Sequence, residues 1–487
     1  MSLEEKILAS VRALPAVEGP IPVTETSHPY CAMKYSRCHM DLADYGYIEE
    51  EYFLSGTANV YDADENGALY IKHEALPYKN RILVRRPKDL SRYSGRVLMD
   101  ILNASSGYDI EDGWDRYHNY CLAGNHIYVG VTTKPICILA LKTFDPVRYA
   151  SLNWASAEPV PQPAGKYGHG SIMGTEEGLV WDILSQTASL LRCGGENNCL
   201  GGAKVDYLSL SGQSQSGSYI NCYTHYFHKY LKNPDGSHLF DSYLNIVGVG
   251  SRRPLCQQGP ETPYIRTRGG DRAKVDVPFI LISSEGDMLL FGDTAKIQWP
   301  EDDDAPDNKI RYYEVPGTPH TNIVCEVLNS YEETDKTGVI RPPIAPETVE
   351  GHNDTMLEYY VCGAEELLYK WSTQGIAPPK APRFARDADG NLLRDEHGNL
   401  LGGLRTPYLE VPAASYLGSS TKFEQGNMCG EKNPFPLDKM IALYGSLDNY
   451  LALFREAVEK QVGEGFLLPP DAARMIAWSV KTAEKCK

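Results

Sequence analysis

Apolar and polar positions follow two rhythms along this chain. Up to about residue 95, short runs alternate with Gly, Asp, Asn and Pro clusters: Glu51-Tyr52-Phe53-Leu54, Thr57-Ala58-Asn59-Val60-Tyr61, Ala68-Leu69-Tyr70-Ile71 and Arg81-Ile82-Leu83-Val84-Arg85. Such runs predict short antiparallel strands, so 1–95 reads as a β-rich lead-in packed on a core. From 96 onward the runs are near-continuously apolar and helical stretches separate them: Val97–Leu102, Ile127–Val131, Tyr207–Leu210, Leu244–Val247, Phe279–Ile282 and Arg311–Val315. Strands without polar alternation are covered on both faces, the habit of parallel strands. Residues 96–330 are therefore expected to form an α/β core, a mostly parallel sheet covered by helices.

One connecting helix is explicit. Leu179, Val180, Ile183, Leu184, Thr187, Leu190 and Leu191 form a stripe at helical spacing, with Thr175 as its cap and Glu176 and Glu177 at its positive end. It leads through a Gly194-Gly195 turn into the strand near 206. Residues 331–440 interrupt the rhythm. They are rich in Pro, Gly and charge, and read as a lid or cap insertion. Ala388-Asp389-Gly390-Asn391 and Glu396-His397-Gly398-Asn399 are turn signals of a small hairpin feature. Asp387 and Asp389 invite a calcium reading, but Gly390 comes too early for an EF-hand loop, so plain turn chemistry is the expectation. The tail is helical from about 437, and 441–487 reads as C-terminal helices with Leu443, Tyr450, Leu451, Phe454 and Val458 as their apolar face.

The strongest chemical signal is Leu210-Ser211-Gly212-Gln213-Ser214-Gln215-Ser216-Gly217. It follows an apolar strand and precedes a helix carrying Tyr219, Ile220, Tyr223, Tyr226 and Phe227, the context of a nucleophile elbow. That turn is tight enough to require small residues two positions either side of the nucleophile. Gly212 and Ser216 occupy those places, Ser216 standing where a second glycine is usual. The bend lifts Ser214 above the sheet edge and aims the helix dipole and the Gln215 N–H at a developing oxyanion. Without chemistry, the same residues are a Ser/Gly loop between strand and helix. Ser216 as nucleophile would leave Ser214 at a glycine position.

A serine hydroxyl needs a general base. Two later strands end in Ser284-Glu285-Gly286-Asp287 and Pro316-Gly317-Thr318-Pro319-His320. Of the twelve histidines, His320 alone lies on a loop after a late strand in the order serine, acid, histidine. His225 and His228 share a helix face but lack a third metal ligand, so their expected role is structural. Asp287 is the expected acid, with Glu285 as the alternative. The strand at 244–249 runs into Gly250-Ser251-Arg252-Arg253, with no carboxylate before Glu261, which disfavours an acid there. A second oxyanion donor is expected from Asn103-Ala104-Ser105-Ser106-Gly107, and Ala104 is the choice.

Bulk properties narrow the partners. The 487 residues hold 47 Lys+Arg and 64 Asp+Glu, a net charge of -17 that repels phosphate backbones and anionic lipid heads. The expected partner is a small molecule, not nucleic acid or membrane. MSLEEKILASVRALPAVEG is no secretory signal, and no window approaches the roughly 20 apolar residues of a span, so a cytoplasmic protein is expected. Twelve cysteines without a CxxC pair or zinc-like spacing read as free thiols, and no metal or organic cofactor is expected.

The motifs together resemble an α/β-hydrolase domain family. Its members carry a G-x-S-Q-S-G elbow (Gly212 to Gly217), an E-Y-F-x-x-G-x-A-N-x-Y entry (Glu51 to Tyr61), a V-P-G-T-x-H motif (Val315 to His320) and a G-N-x-x-G-G-x-R-x-P-Y-x-x-V-P segment (Gly398 to Pro412). The similarity spans about 45 to 485. It implies the α/β-hydrolase fold and a Ser-acid-His triad, carrying Ser214 and His320 over directly and the S-E-x-D stretch as Glu285 to Asp287. Arg405 is a family mark, read as a lid-holding salt bridge in preference to a substrate contact. The expected activity is cleavage of a small-molecule carboxylic ester through an acyl-enzyme. An amidase, peptidase or acyltransferase on the same triad is the alternative, and a non-catalytic binding protein on a hydrolase scaffold the reading from another class.

Overall fold

The computed structural model describes residues 1–157, 172, 174–193, 195, 198–250, 252–257, 272–291, 301–341, 349–422 and 426–486. They fall into two compact units, Met1–Val277 with Glu326–Pro343, and Pro278–Cys325 with Ile344–Lys487. Gly194, Ser251 and Glu261, used in the sequence reading, lie outside the described residues.

The first unit opens with α1 (Leu3–Val11), β1 (Ala16–Glu18), β2 (Tyr47–Ala63), β3 (Leu69–Pro87) and β4 (Arg96–Ile101). It continues through α2 (Asp112–Gly124), β5 (Ile127–Val131), α3 (Pro135–Phe144), β6 (Asn153–Trp154) and α4 (Val180–Arg192), then β7 (Tyr207–Gln213), α5 (Gln215–Tyr226) and β8 (Ser242–Ile246). Strand order is β1-β2-β3-β5-β4-β7-β8, with β6 also on β3. Pairing is antiparallel as far as β5 and parallel from β5 through β4 and β7 to β8. Apart from Arg96, every residue of β4, β5, β7 and β8 is buried, as strands covered on both faces require. Because these strands are parallel, the loops after β4, β5 and β7 leave from one edge of the sheet, where ligand sites of open α/β sheets lie.

The four short strands expected before residue 95 are in fact one long hairpin. Ser55 and Gly56, which look like a turn, pair with Lys79 and Tyr78 and continue the ladder, and only bulges near Ala58 and Val60 interrupt it. Two arginines on β3, Arg81 and Arg85, are buried and neutralised there. Arg81 meets Glu51 at 2.6 Å and Asp109 at 3.3 Å, and Arg85 meets Glu49 and Glu111, each at 2.7 Å. The helix expected near 179–191 is α4, but Thr175 does not cap it. The Glu176 carboxylate accepts the Gly178 N–H at 2.8 Å and opens a 3-10 turn, Glu177–Leu179, that runs into α4, while the Thr175 hydroxyl donates to the Ile172 carbonyl. Asp182 ties the helix down, accepting from Ser10, the Asn59 N–H and Tyr61.

In the second unit β9 (Phe279–Ser284), α6 (Glu285–Leu290), β10 (Asp303–Ala305) and β11 (Asn308–Val315) come first. β9 and β11 are parallel, and β10 flanks β11 antiparallel. The rest of the unit includes α7 (Glu358–Gln374), the antiparallel pair β12 (Ala414–Leu417) and β13 (Glu431–Pro434), and helices α8 (Leu437–Tyr444), α9 (Leu447–Glu464) and α10 (Pro469–Lys485). The two turn signals form successive Asx turns. Asp387 accepts the Asp389 and Asn391 N–H groups, and Asp395 accepts those of His397 and Asn399. Tyr450, Phe454 and Val458 bury one face of α9, where Phe454 packs 5.8 Å from the Trp478 ring. Leu443 is 39% exposed and does not join that face, because Gly445 ends α8 and the chain restarts as a new helix. No disulfide is formed among the described residues. Among the described residues no helix is long and apolar enough to cross a membrane.

Candidate active site

Ser214 is the single residue between β7 and α5, with φ 55° and ψ -116°. A non-glycine residue in that region costs on the order of 1–3 kcal/mol, so the surroundings must hold it. They do so from below: the Ser214 N–H donates to the Ile246 carbonyl at 2.8 Å, and the Ser214 carbonyl accepts from Ser218 as α5 begins. Ser214 and Gln215 are half-buried and Ser216 is buried. The packing explains the small neighbours. A Cβ on Gly212 would lie 2.6 Å from the Ser216 carbonyl oxygen, and one on Gly217 would lie 2.6 Å from the Gly248 Cα. The demand for smallness therefore extends to Gly217, one residue further than the spacing rule required.

The loop after β4 sits beside this turn. Asn103 donates through Nδ2 to the Gln213 carbonyl at 3.3 Å and to Asp112 at 2.8 Å, and its Oδ1 accepts the Ser105 N–H at 2.8 Å. Ala104 is fully buried, and its carbonyl accepts from Gly107 in a tight turn. Arg116 on α2 donates to the Gln213 side chain at 2.7 Å, and the hydroxyls of Tyr117 and Ser211 lie 2.8 Å apart. Sequence reasoning named the Asn103 loop but missed Arg116 and Tyr117. The helix that carries them is mixed, with Asp112, Asp115, His118 and Asn119 among its residues, so nothing in the spacing singled them out or said which strand they face.

In the second unit, His320 Nδ1 lies 2.5 Å from Asp287 Oδ1, and both residues are buried. Asp287 Oδ2 accepts the Ser284 N–H at 2.7 Å, and the Ser284 hydroxyl accepts the Asp287 N–H, a capping box at the start of α6. One carboxylate oxygen is on the backbone and the other on the ring, an arrangement in which an Nδ1–H donates to Asp287. The Phe291 ring stands edge-on to the imidazole, 5.2 Å between centroids. Glu285 has other partners: the Gly317 N–H at 2.9 Å, the Gly418 N–H at 3.2 Å and Arg394 at 2.7 Å. Between the two acids, a Cβ on Gly286 would meet the Gly418 oxygen at 2.6 Å and the His320 nitrogen at 2.7 Å. The structure thus brings His320 and Asp287 together and gives Glu285 to the backbone around them.

His225 and His228 do not act as a pair. His225 Nδ1 accepts the Ala273 N–H, whereas His228 meets Asp276 at 2.6 Å and Tyr243 at 3.0 Å. His228, His238 and Asp276 gather donor atoms within 4.8 Å of one another, a grouping able to hold a metal ion, but the Lys232 ammonium sits 2.8 Å from His238 and opposes a cation there. Arg405 pairs with Glu410 at 2.8 Å and donates to the Leu400 and Leu409 carbonyls.

Over residues 17–477 the chain matches the family described as alpha/beta hydrolase domain. No curated protein matches it. Among solved structures it is similar to an esterase of Rhizomucor miehei, at 11% identity and a TM-score of 0.31, covering 76% of this chain and 90% of that one. Esterase 2 of Thermogutta terrifontis matches at 12% identity and a TM-score of 0.26, with 53% and 81% covered. A lidless serine hydrolase of Xanthomonas campestris matches at 10% identity and a TM-score of 0.26, with 54% and 85% covered. At such identities and scores these likenesses carry no argument about activity.

Proposed function

The chain belongs to the alpha/beta hydrolase domain family, and we propose that it is a serine hydrolase cleaving a carboxylic ester of a small molecule, with Ser214 as nucleophile. The observation that carries this reading is the strained serine at the junction of β7 and α5. A chain pays for such a conformation where a reactive hydroxyl must be presented at the mouth of a helix.

In this mechanism the Ser214 hydroxyl attacks the ester carbonyl and its proton passes to His320 Nε2. The Gln215 and Ala104 N–H groups stabilise the oxyanion, and His320 returns the proton to the leaving alcohol. Water then attacks the acyl-enzyme with His320 again as base, releasing the acid and restoring Ser214. Asp287 keeps the imidazole in its tautomer and stabilises the imidazolium. The hydrogen bond between His320 and Asp287 supports these roles, and the three partners of Glu285 support Asp287 over it as the acid.

A panel of aryl esters run on the wild type and Ser214→Ala tests the reading. The variant is expected to lose at least ~10³-fold in kcat and all labelling by a fluorophosphonate probe. Equal hydrolysis by both proteins removes Ser214 from the chemistry.

A further inference from the structure

Lys134 stands at the cap of α3, three residues past the end of β5, and is 1% exposed. Its ammonium nitrogen has no hydrogen-bond partner among the described residues. A buried cation without acceptors is expensive, so its retention calls for a reason. Its surroundings do not satisfy it. The nitrogen lies 4.7 Å from the centroid of the Tyr219 ring, and the guanidinium of Arg253 lies 5.4 Å from the same centroid. Glu177, the nearby acid, accepts from Tyr219 and pairs with Arg253 at 2.8 Å. Glu177 thus faces two cationic side chains, Arg253 and Lys134, and the three carry a formal charge of +1 when the lysine is protonated. Burial first, and then Arg253, push the lysine pKa well down, with Glu177 opposing them.

The place of this charge is informative. β5, β4 and β7 are consecutive parallel neighbours, so the ends of β5 and β7 are roughly 10 Å apart at about 4.8 Å per strand. Lys134 and Ser214 both leave from that edge. Thr133 donates to the Leu102 carbonyl at 2.8 Å, which ties the Lys134 loop to the residue preceding Asn103 and Ala104. Tyr219, under the ammonium, lies on the helix that Ser214 opens.

We infer that Lys134 is an anion subsite, and that the ester cleaved at Ser214 carries a free carboxylate a few carbons from its carbonyl. The inference rests on the esterase reading for its substrate, but not for its anion. A formal charge of +1 on this group matches a monoanion better than the near-dianionic charge of a phosphate. A carboxylate supplies the acceptor the ammonium lacks and favours its charged form.

The test compares 4-nitrophenyl hemiglutarate with 4-nitrophenyl butyrate on the full chain, in wild type and Lys134→Met. The wild type is expected to favour the hemiglutarate at least tenfold in kcat/KM, and the variant to lower that ratio at least tenfold, mainly through KM. A second arm needs no catalysis: millimolar glutarate raises the wild-type Tm, glutaramide does not, and Lys134→Met abolishes the glutarate shift. Hydrolysis of both esters with an unchanged ratio in the variant overturns the subsite and leaves the esterase standing. A glutarate shift lost in the variant, with neither ester cleaved, overturns the esterase and leaves the subsite. If Lys134→Met and Lys134→Gln both fail to fold, the wild type decides: no preference for hemiglutarate and no effect of glutarate sink the proposal.

Discussion

Asp287 and Glu285 are both fully buried, two residues apart on the first turn of α6, and they differ in what donates to them. Asp287 receives a ring nitrogen and a capping N–H, whereas Glu285 receives two backbone N–H groups and a guanidinium. In the proposed mechanism Asp287→Asn lowers kcat by roughly 10³–10⁴-fold with little change in Tm, because the tautomer is lost and the fold is kept. Glu285→Gln acts the other way round. It is expected to cost about 2–3 kcal/mol of stability through its weakened charged hydrogen bonds, read as a fall in the urea midpoint. His126 gives a pH signature. Burial, then the Arg96 guanidinium, push its imidazole down to about 3. An unfolded histidine titrates near 6.5, so between these values the unfolded chain holds the extra proton. The stability involved is present above pH ~6.5 and is lost as pH falls toward 3. His126→Gln is expected to flatten the slope between pH 7 and 4 by roughly 3 kcal/mol, measured as unfolding free energy at each pH.

At the scale of elements, the strand-turn-helix at Ser214 is held by close backbone approach as much as by hydrogen bonds. A methyl on Gly217 would press on the Gly248 Cα and the Asn245 side chain, both about 2.5 Å away. Gly217→Ala is therefore expected to lower stability by about 1–3 kcal/mol and activity by more than that loss of folded protein explains. Activity measured per folded molecule checks this. The β2–β3 hairpin depends on charge pairing in the same way. Arg85 is fully buried and engages Glu49 and Glu111. Arg85→Met leaves the buried Glu111 and the part-buried Glu49 without their shared cation and is expected to cost roughly 3–5 kcal/mol, read as a drop in Tm.

For the molecule as a whole, the net charge of -17 sets a field that slows the approach of any anion. A substrate bearing a carboxylate meets that field before it meets Lys134. Raising ionic strength from about 10 to 150 mM shortens the Debye length from roughly 30 to 8 Å. It is expected to raise kcat/KM for the hemiglutarate ester severalfold and to leave that of the neutral butyrate ester nearly constant. A fall for the anionic ester would mean that attraction, not repulsion, governs its encounter.

The chain alone determined which runs are buried strands, because a segment covered on both faces must be apolar throughout, as β4, β5, β7 and β8 are. It also determined that a serine among small residues stands between β7 and α5, since a bend so tight excludes larger neighbours. It misjudged the hairpin, where Ser55-Gly56 mimics a turn although strand pairing carries it through, and the α4 cap, which moved from Thr175 to Glu176 with a single 3-10 turn. Spacing could not say which of Glu285 and Asp287 meets His320, nor that Lys134 is buried without an acceptor. Both depend on contacts between residues distant in sequence, where hydrogen-bond geometry and desolvation are set by packing rather than by local pattern.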